Sequence, residues 1–200
     1  MELCQGGTLR EQLAPGPLPL PVALLRGREL SSILATIHRR QIVHSDIKPA
    51  NLLLRSHEPA SELVLTDFGI ARLASEEQRE VEERSARGTL AYMSPEQRLG
   101  EVAPAADVYA AGVILVELLL GSPALTPWLG DRNALLRGRS RWDAQLPPEV
   151  SHPLGNSVSD LQALLAALLD DEPTQRPTAE AMHSALNRLL RSAEEQGPSR

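Results

Sequence analysis

Aromatic side chains are scarce. Phe, Trp and Tyr make up 2% of the 200 residues, so a core must be built from Leu, Ala, Val and Ile. There is one cysteine, Cys4. That excludes a disulfide framework and a Cys-based zinc site, and it suits a reducing compartment. There is no basic excess: 20 Lys and Arg face 26 Asp and Glu, a net charge of −6. This argues against nucleic acid as a main partner, because phosphate backbones are gripped by clustered cations. Long apolar runs are missing too. The best, Ala110 to Leu120, is interrupted by Glu117 and falls far short of the ~20 residues a membrane span needs. A buried helix is expected there, and no membrane partner. The N-terminal MELCQGGTLR lacks the basic and then apolar pattern of a signal peptide. The expectation is an intracellular, cytoplasmic protein, with the nucleus left open and the oligomeric state unread.

What is present suffices for one domain. Apolar residues are 42% and charged residues 23%, and one domain of about 150 residues or somewhat more is the ordinary outcome for this length. The stretch Pro15 to Pro21 holds four prolines and a glycine and cannot be a helix interior. Val22 to Arg40 then places Leu25, Ile33, Leu34 and Ile37 at helical spacing. Leu52 to Leu54 reads as a short buried strand. Leu63 and Leu65 alternate with polar neighbours as a second strand, hairpin-paired with the first across Arg55 to Ser61. Ala71 to Gly88 is rich in Glu and Arg and reads as an exposed loop or helix. Ala105 to Leu120 is apolar on nearly every face and should be buried all round. Asp131 to Arg137, Ser157 to Leu169 and Thr178 to Leu190 complete a helical remainder. The fold class expected is mainly α, a helical bundle with one small β-hairpin. Residues 1–191 form the domain and 192–200 a disordered polar tail.

Side chains able to do chemistry gather in two places, His44-Ser45-Asp46-Ile47-Lys48-Pro49-Ala50-Asn51 and Asp67-Phe68-Gly69. Each lies where a loop leaves packed structure, so it can be rigid and exposed at once. Asp46, Asn51 and Asp67 offer the oxygen donors that a hard cation such as Mg²⁺ takes alongside phosphate. Lys48 is a compact charge suited to a phosphoryl group.

These residues resemble the eukaryotic-type protein kinase family. His44-Ser45-Asp46 followed by Asn51 is similar to the catalytic loop H-R-D-x-x-x-x-N, and Asp67-Phe68-Gly69 to the metal-binding tripeptide. Gly88-Thr89-Leu90-Ala91-Tyr92-Met93-Ser94-Pro95-Glu96 resembles the end of the activation segment. Asp107-Val108-Tyr109 with Gly112-Val113 resembles the start of the central helix, and Gln175-Arg176-Pro177-Thr178 the late arginine motif. Met1-Glu2-Leu3-Cys4 with Gly6-Gly7-Thr8-Leu9 resembles the hinge between lobes. A lone D-F-G carries no weight, but six motifs in family order do. The resemblance covers about residues 1 to 190 and implies the family's C-terminal lobe, with the hairpin carrying the catalytic loop and D-F-G.

By resemblance, Asp46 is the catalytic base and Lys48 neutralises charge on the γ-phosphoryl group. Asn51 and Asp67 hold Mg²⁺ on ATP. Glu2 and Cys4 offer hinge backbone groups to adenine above a floor formed by Leu53, although Leu3, Leu9 and Leu53 are equally suited to a plain core. Lys48 two residues after Asp46, with Thr89, is the serine/threonine pattern, so the implied partner is a protein carrying a Ser or Thr acceptor. Glu96 and Arg176 are expected as a buried ion pair, Asp107 as a brace for the catalytic loop, and His44 and Phe68 as packing residues. His38, His57, His152 and His183 have no partner readable from the sequence.

Two departures stand out. Ser45 replaces the arginine that in the family grips an activation-loop phosphate, which weakens any switch through Ser75 or Ser85. No glycine-rich loop and no V-A-I-K lysine occur in these residues, so the small lobe is expected to be missing. Two functions follow from the resemblance: an ATP-dependent serine/threonine kinase seen through its large lobe, or a non-catalytic lobe that docks partners.

Overall fold

The structure, a computed structural model, describes residues 4–58, 61–68, 91–122 and 146–196. Glu2, the charged segment 71–88, Thr89, the short helix expected over Asp131–Arg137 and residues 197–200 lie outside the described residues.

The described residues form a helical bundle with one two-stranded sheet. In chain order the elements are α1 (Leu9–Gln12), α2 (Leu20–His38), β1 (Leu52–Leu54), β2 (Leu63–Leu65), α3 (Pro95–Arg98), α4 (Pro104–Leu120), α5 (Pro148–Ser151), α6 (Val158–Leu168) and α7 (Ala179–Gln196). Short 3₁₀ turns cover Pro49–Asn51, His152–Ser157 and Pro173–Gln175.

Helix α4 is the axis of the bundle. Both its faces are apolar, and Val108 through Leu119 are all buried, as its sequence demands. Pro104 opens it and Gly121, at φ 81°, closes it, the pairing of proline at the start and glycine past the end that helices favour. At Gly112 a Cβ would come within 2.8 Å of the Leu168 Cβ, so this glycine permits the close crossing of α4 and α6. Helix α2 packs on both α4 and α7. His183 of α7 reaches α2 as well, its Nδ1 donating to the Arg28 carbonyl at 3.1 Å.

Helix α2 begins at Leu20, two residues before the apolar periodicity suggests, because Pro21 fits the first turn, where its missing N–H costs nothing. Helix α7 corrects the expected tail. It runs on to Gln196, and Ala193 is buried on the face that already holds Met182, Leu186 and Leu189. A small side chain at helical spacing continues the packed stripe even though its neighbours are polar.

The hairpin forms where expected, antiparallel, with Leu52 opposite Leu65, Leu53 opposite Val64 and Leu54 opposite Leu63. The outer leucines face the core, while Leu53 and Val64 lie on the other, half-buried face. The strand-like segment Gln5–Gly7 runs along β1. Gln5 N donates to Arg55 O, Gly6 N to Leu54 O, and Leu54 N to Gly7 O, at 3.1, 3.0 and 2.9 Å. A Cβ on Gly6 would fall 2.0 Å from the Ser56 carbonyl oxygen, so only glycine allows this approach. Among the described residues no helix is long and apolar enough to cross a membrane.

Candidate active site

Between α2 and β1 the chain makes a loop that is held at nearly every residue. Asp107, in the first turn of α4 and buried, organises it. Its Oδ2 accepts from His44 N at 2.9 Å and its Oδ1 from Ser45 N at 2.8 Å. His38 Nε2, at the end of α2, meets Oδ2 at 3.0 Å. The carboxylate sits at a helix N-terminus, where the macrodipole favours negative charge. The brace expected of Asp107 is present, and His38, for which the sequence offered no partner, is part of it.

Buried His44 ties this loop to the second one. Its Nε2 donates to the Thr66 carbonyl at 2.9 Å, and its Nδ1 accepts from Asp46 N at 3.3 Å. A carbonyl only accepts and an amide only donates, so the ring is the Nε2–H tautomer. Thr66, the residue before Asp67, also donates through N and Oγ1 to the Asn51 carbonyl, at 3.0 and 3.2 Å. The two loops are therefore cross-linked by three hydrogen bonds, from His44 and Asn51 in the first loop to Thr66, the residue before Asp67, in the second.

Within the first loop, Asp46, Lys48 and Asn51 form one cluster. Lys48 Nζ lies 2.8 Å from Asp46 Oδ2. Asn51 Nδ2 donates to both Asp46 O and Asp46 Oδ2, at 2.9 and 3.0 Å. Both contacts fall on Oδ2, so among the described residues Asp46 Oδ1 keeps its lone pairs for another group. Because Asn51 commits its NH₂ to Asp46, its carbonyl Oδ1 is the atom left to face a cation. The 3₁₀ turn Pro49–Asn51, locked by proline and by Asn51 N donating to Lys48 O at 3.0 Å, sets this short reach.

Asp67 is exposed and adopts φ 58°, a left-handed conformation that aspartate tolerates better than most residues. Phe68 behaves differently from the expected packing residue. It remains 41% exposed and touches the His44 ring at a centroid distance of 5.0 Å, a contact that covers only part of its surface.

Asn51 and Asp67 supply hard oxygen donors of the kind Mg²⁺ accepts. Among the described residues no three His, Cys, Asp or Glu side chains gather into a site complete by itself. Two such donors would leave most of the six positions around Mg²⁺ to phosphate and water. The residues present therefore fit a magnesium-bound phosphate. On the hinge side, Cys4 is half-buried at the start of the segment along β1, and Leu53 is on the half-buried face of the hairpin, bridged to Thr8.

Behind this cluster, α3 is anchored by the expected ion pair. Arg176 Nη1 and Nη2 donate to Glu96 Oε1 and Oε2 at 2.5 and 2.9 Å. Arg176 also donates to the carbonyls of Asp170, Ala105 and Asp171 and lies over the Tyr109 ring at 4.8 Å. Burial pushes the Glu96 carboxyl upward, but hydrogen bonds from Arg176, its own backbone and Ser94, with the Arg176 charge, outweigh it. The group is held below the usual carboxylate range.

A further buried carboxylate, Glu117, has no role in the sequence reading. Its Oε1 accepts from Arg10 Nη1 at 2.8 Å and Ser122 Oγ at 2.7 Å, and its Oε2 from the Tyr92 hydroxyl at 2.5 Å. Arg10 Nη2 also reaches the Tyr92 hydroxyl at 2.5 Å. Burial first, then the Glu117 charge, raises the Tyr92 hydroxyl well above its ordinary pKa and keeps it neutral. This network joins α1, Tyr92 two residues ahead of Ser94-Pro95-Glu96, and α4. Its signal was visible in the sequence: a glutamate inside a helix buried all round must have partners.

The comparisons agree with this geometry. The family model for the protein kinase domain matches residues 1–186. The serine/threonine-protein kinase PknL of Mycobacterium tuberculosis is 40% identical over 149 residues, covering 74% of this chain and 35% of the relative. PknB of Mycobacterium leprae is 33% identical over 192 residues, 94% of this chain and 30% of the relative. Calcium-dependent protein kinase 9 of Oryza sativa subsp. japonica is 31% identical over 185 residues, 90% and 30%. The chain thus spans about a third of the length of these curated relatives. With the family model covering nearly all of it and serine/threonine kinases matching at these identities, the chain belongs to the eukaryotic-type serine/threonine protein kinase family.

Proposed function

We propose that these residues are the hinge and C-terminal lobe of a kinase that transfers the γ-phosphoryl group of ATP, with Mg²⁺, to a Ser or Thr hydroxyl of a protein. The observation that carries this reading is the convergence of Lys48 and Asn51 on one carboxylate oxygen of Asp46, in a loop bonded to the residue before Asp67. Phosphoryl transfer asks for positioning and charge neutralisation more than covalent help.

Asp46 Oδ1 orients the acceptor hydroxyl and receives its proton. Lys48 stays beside Asp46 and offsets negative charge on the transferring group. Asn51 Oδ1 and the Asp67 carboxylate hold Mg²⁺, which when bound supplies charge neutralisation on the phosphate oxygens. The hinge backbone at Glu2 and Cys4 meets adenine, and Leu53 lies beneath it. Glu2 lies outside the described residues, so its part rests on the motif.

The test is phosphate transfer from ATP and Mg²⁺ to a generic protein substrate, with Asp46→Asn as control and Mg²⁺-dependent ATP binding by calorimetry as second readout. Transfer that disappears in the control supports the enzyme. Lack of both transfer and nucleotide binding favours the other reading, a lobe that docks partners, for which Ser45 in the arginine position speaks.

A further inference from the structure

Ser45, the residue before the proposed base, has φ 67°, a left-handed conformation that is unfavourable for a residue with a Cβ and persists only where its surroundings enforce it. Its N–H is held by Asp107 Oδ1. Its carbonyl is held from a different part of the chain: Gln97 Nε2, on α3, donates to Ser45 O at 2.8 Å.

The Gln97 side chain is itself fixed. Its Oε1 accepts from Ser94 N at 3.3 Å and Ser94 Oγ at 3.4 Å, while Gln97 N donates to Ser94 Oγ at 3.4 Å. This is a capping box. Only one amide orientation serves both ends, oxygen toward the Ser94 N–H and nitrogen toward the Ser45 carbonyl. The arm that carries Gln97 is anchored one residue earlier by the Glu96–Arg176 pair.

The consequence follows from peptide planarity. The Ser45 carbonyl and the Asp46 N–H belong to one rigid plane. Gln97 holds the oxygen of that plane, and His44 Nδ1 accepts from its N–H at 3.3 Å. With both polar atoms fixed, the plane cannot rotate, and the direction in which the Asp46 side chain leaves the backbone is set.

We propose that Gln97 is a positioning residue for Asp46, acting through the Ser45 carbonyl and independently of any phosphate. The last clause comes from chemistry. Serine at position 45 carries no charge to grip a phosphate, and the link from catalytic loop to α3 is a neutral amide–carbonyl bond. The capping box helps α3 form, and its otherwise idle amide nitrogen reaches across to the loop. The inference rests on the phosphoryl-transfer reading for its kinetic consequence but not for its structural one.

Gln97→Glu separates the two duties, because glutamate keeps an oxygen for Ser94 and places a second oxygen, not a donor, against the Ser45 carbonyl. The experiment measures amide hydrogen exchange over residues 43–48 and, with ATP and Mg²⁺, kcat and KM, in the 200-residue chain. Leu189→Ala in α7 is the control for general weakening. In Gln97→Glu, exchange at Asp46 is expected to rise about 10-fold or more while protection in α4 and α7 is kept. Turnover is expected to drop about 10-fold or more at a KM for ATP within about twofold of the parent. The Leu189→Ala control should raise exchange in α7 without a selective rise at Asp46. Unchanged exchange at Asp46 in Gln97→Glu, or unchanged turnover in a transferring parent, overturns the proposal. A parent that neither transfers phosphate nor binds nucleotide, with a loop that still loosens in Gln97→Glu, upholds the tether and overturns the phosphoryl-transfer reading instead.

Discussion

Two carboxylate–cation pairs sit at opposite ends of the same short arm of structure. Glu96 and Arg176 have side chains 8% and 0% exposed. Asp46 and Lys48 have side chains 36% and 23% exposed. In the first pair the guanidinium meets both carboxylate oxygens and three backbone carbonyls. In the second, the ammonium and the Asn51 amide share one carboxylate oxygen and, among the described residues, leave the other open. A carboxylate and a cation serve opposite ends in the two places, the planar guanidinium gripping both oxygens and the ammonium only one. A pair with every valence satisfied is a rivet, and a pair with an oxygen to spare is a tool.

The comparison makes Arg176→Ala the most damaging change. It leaves Glu96 buried without its cation, a loss of about 3–5 kcal/mol, read as a lower urea midpoint at unchanged slope. A loss below about 1 kcal/mol would mean the pair is an ordinary surface contact. Asp46→Asn should do the reverse. Phosphate transfer is expected to fall by about 10²–10⁴-fold, while the urea midpoint moves by less than about 1 kcal/mol in stability. If the two variants exchanged effects, the rivet and tool assignments would be inverted.

Glu117 provides an intermediate case, since Arg10 is the cation beside it and is itself 44% exposed. Arg10→Met should cost about 1–3 kcal/mol, less than Arg176→Ala because water can reach the vacated position. Equal losses would show that the exposure of the cation is irrelevant.

The smallest effect is acid sensitivity. The Glu96 carboxyl titrates below its ordinary range in the folded protein, so its ionised form adds stability above the unfolded-state value of about 4.3, and that contribution is lost as pH falls through the lower, folded value. Stability measured from pH 6 downward should decline more steeply in the parent than in Glu96→Gln, after allowing for the offset between them. Parallel curves would contradict the assignment.

Much of this was legible in the residues. The hairpin of Leu52–Leu54 with Leu63–Leu65 and the all-round burial of α4 follow from apolar patterning, which reports local burial directly. The charged motifs carried the Glu96–Arg176 pair and the Asp107 brace through resemblance. The Gln97 tether was not read, although Ser94-Pro95-Glu96-Gln97 contains the S-x-x-Q spacing of a capping box. That spacing announces the cap and says nothing of where the other end of the amide goes. His38 left no trace at all, because its partner Asp107 lies 69 residues away. The extension of α7 to Gln196 was missed because polar neighbours masked the single small residue, Ala193, that continues its buried face.

The sequence alone determined the helical lobe with its small hairpin, the family, and which side chains carry charge in the loop around Asp46, since these depend on periodicity and on the order of short motifs. Only the tertiary structure decided which oxygen of Asp46 is engaged, that the peptide leading into Asp46 is held from both sides, and that Glu117 is matched with Arg10. Hydrogen bonds join atoms whose separation along the chain is unrelated to their distance in space, so their pairing appears only once the chain is packed.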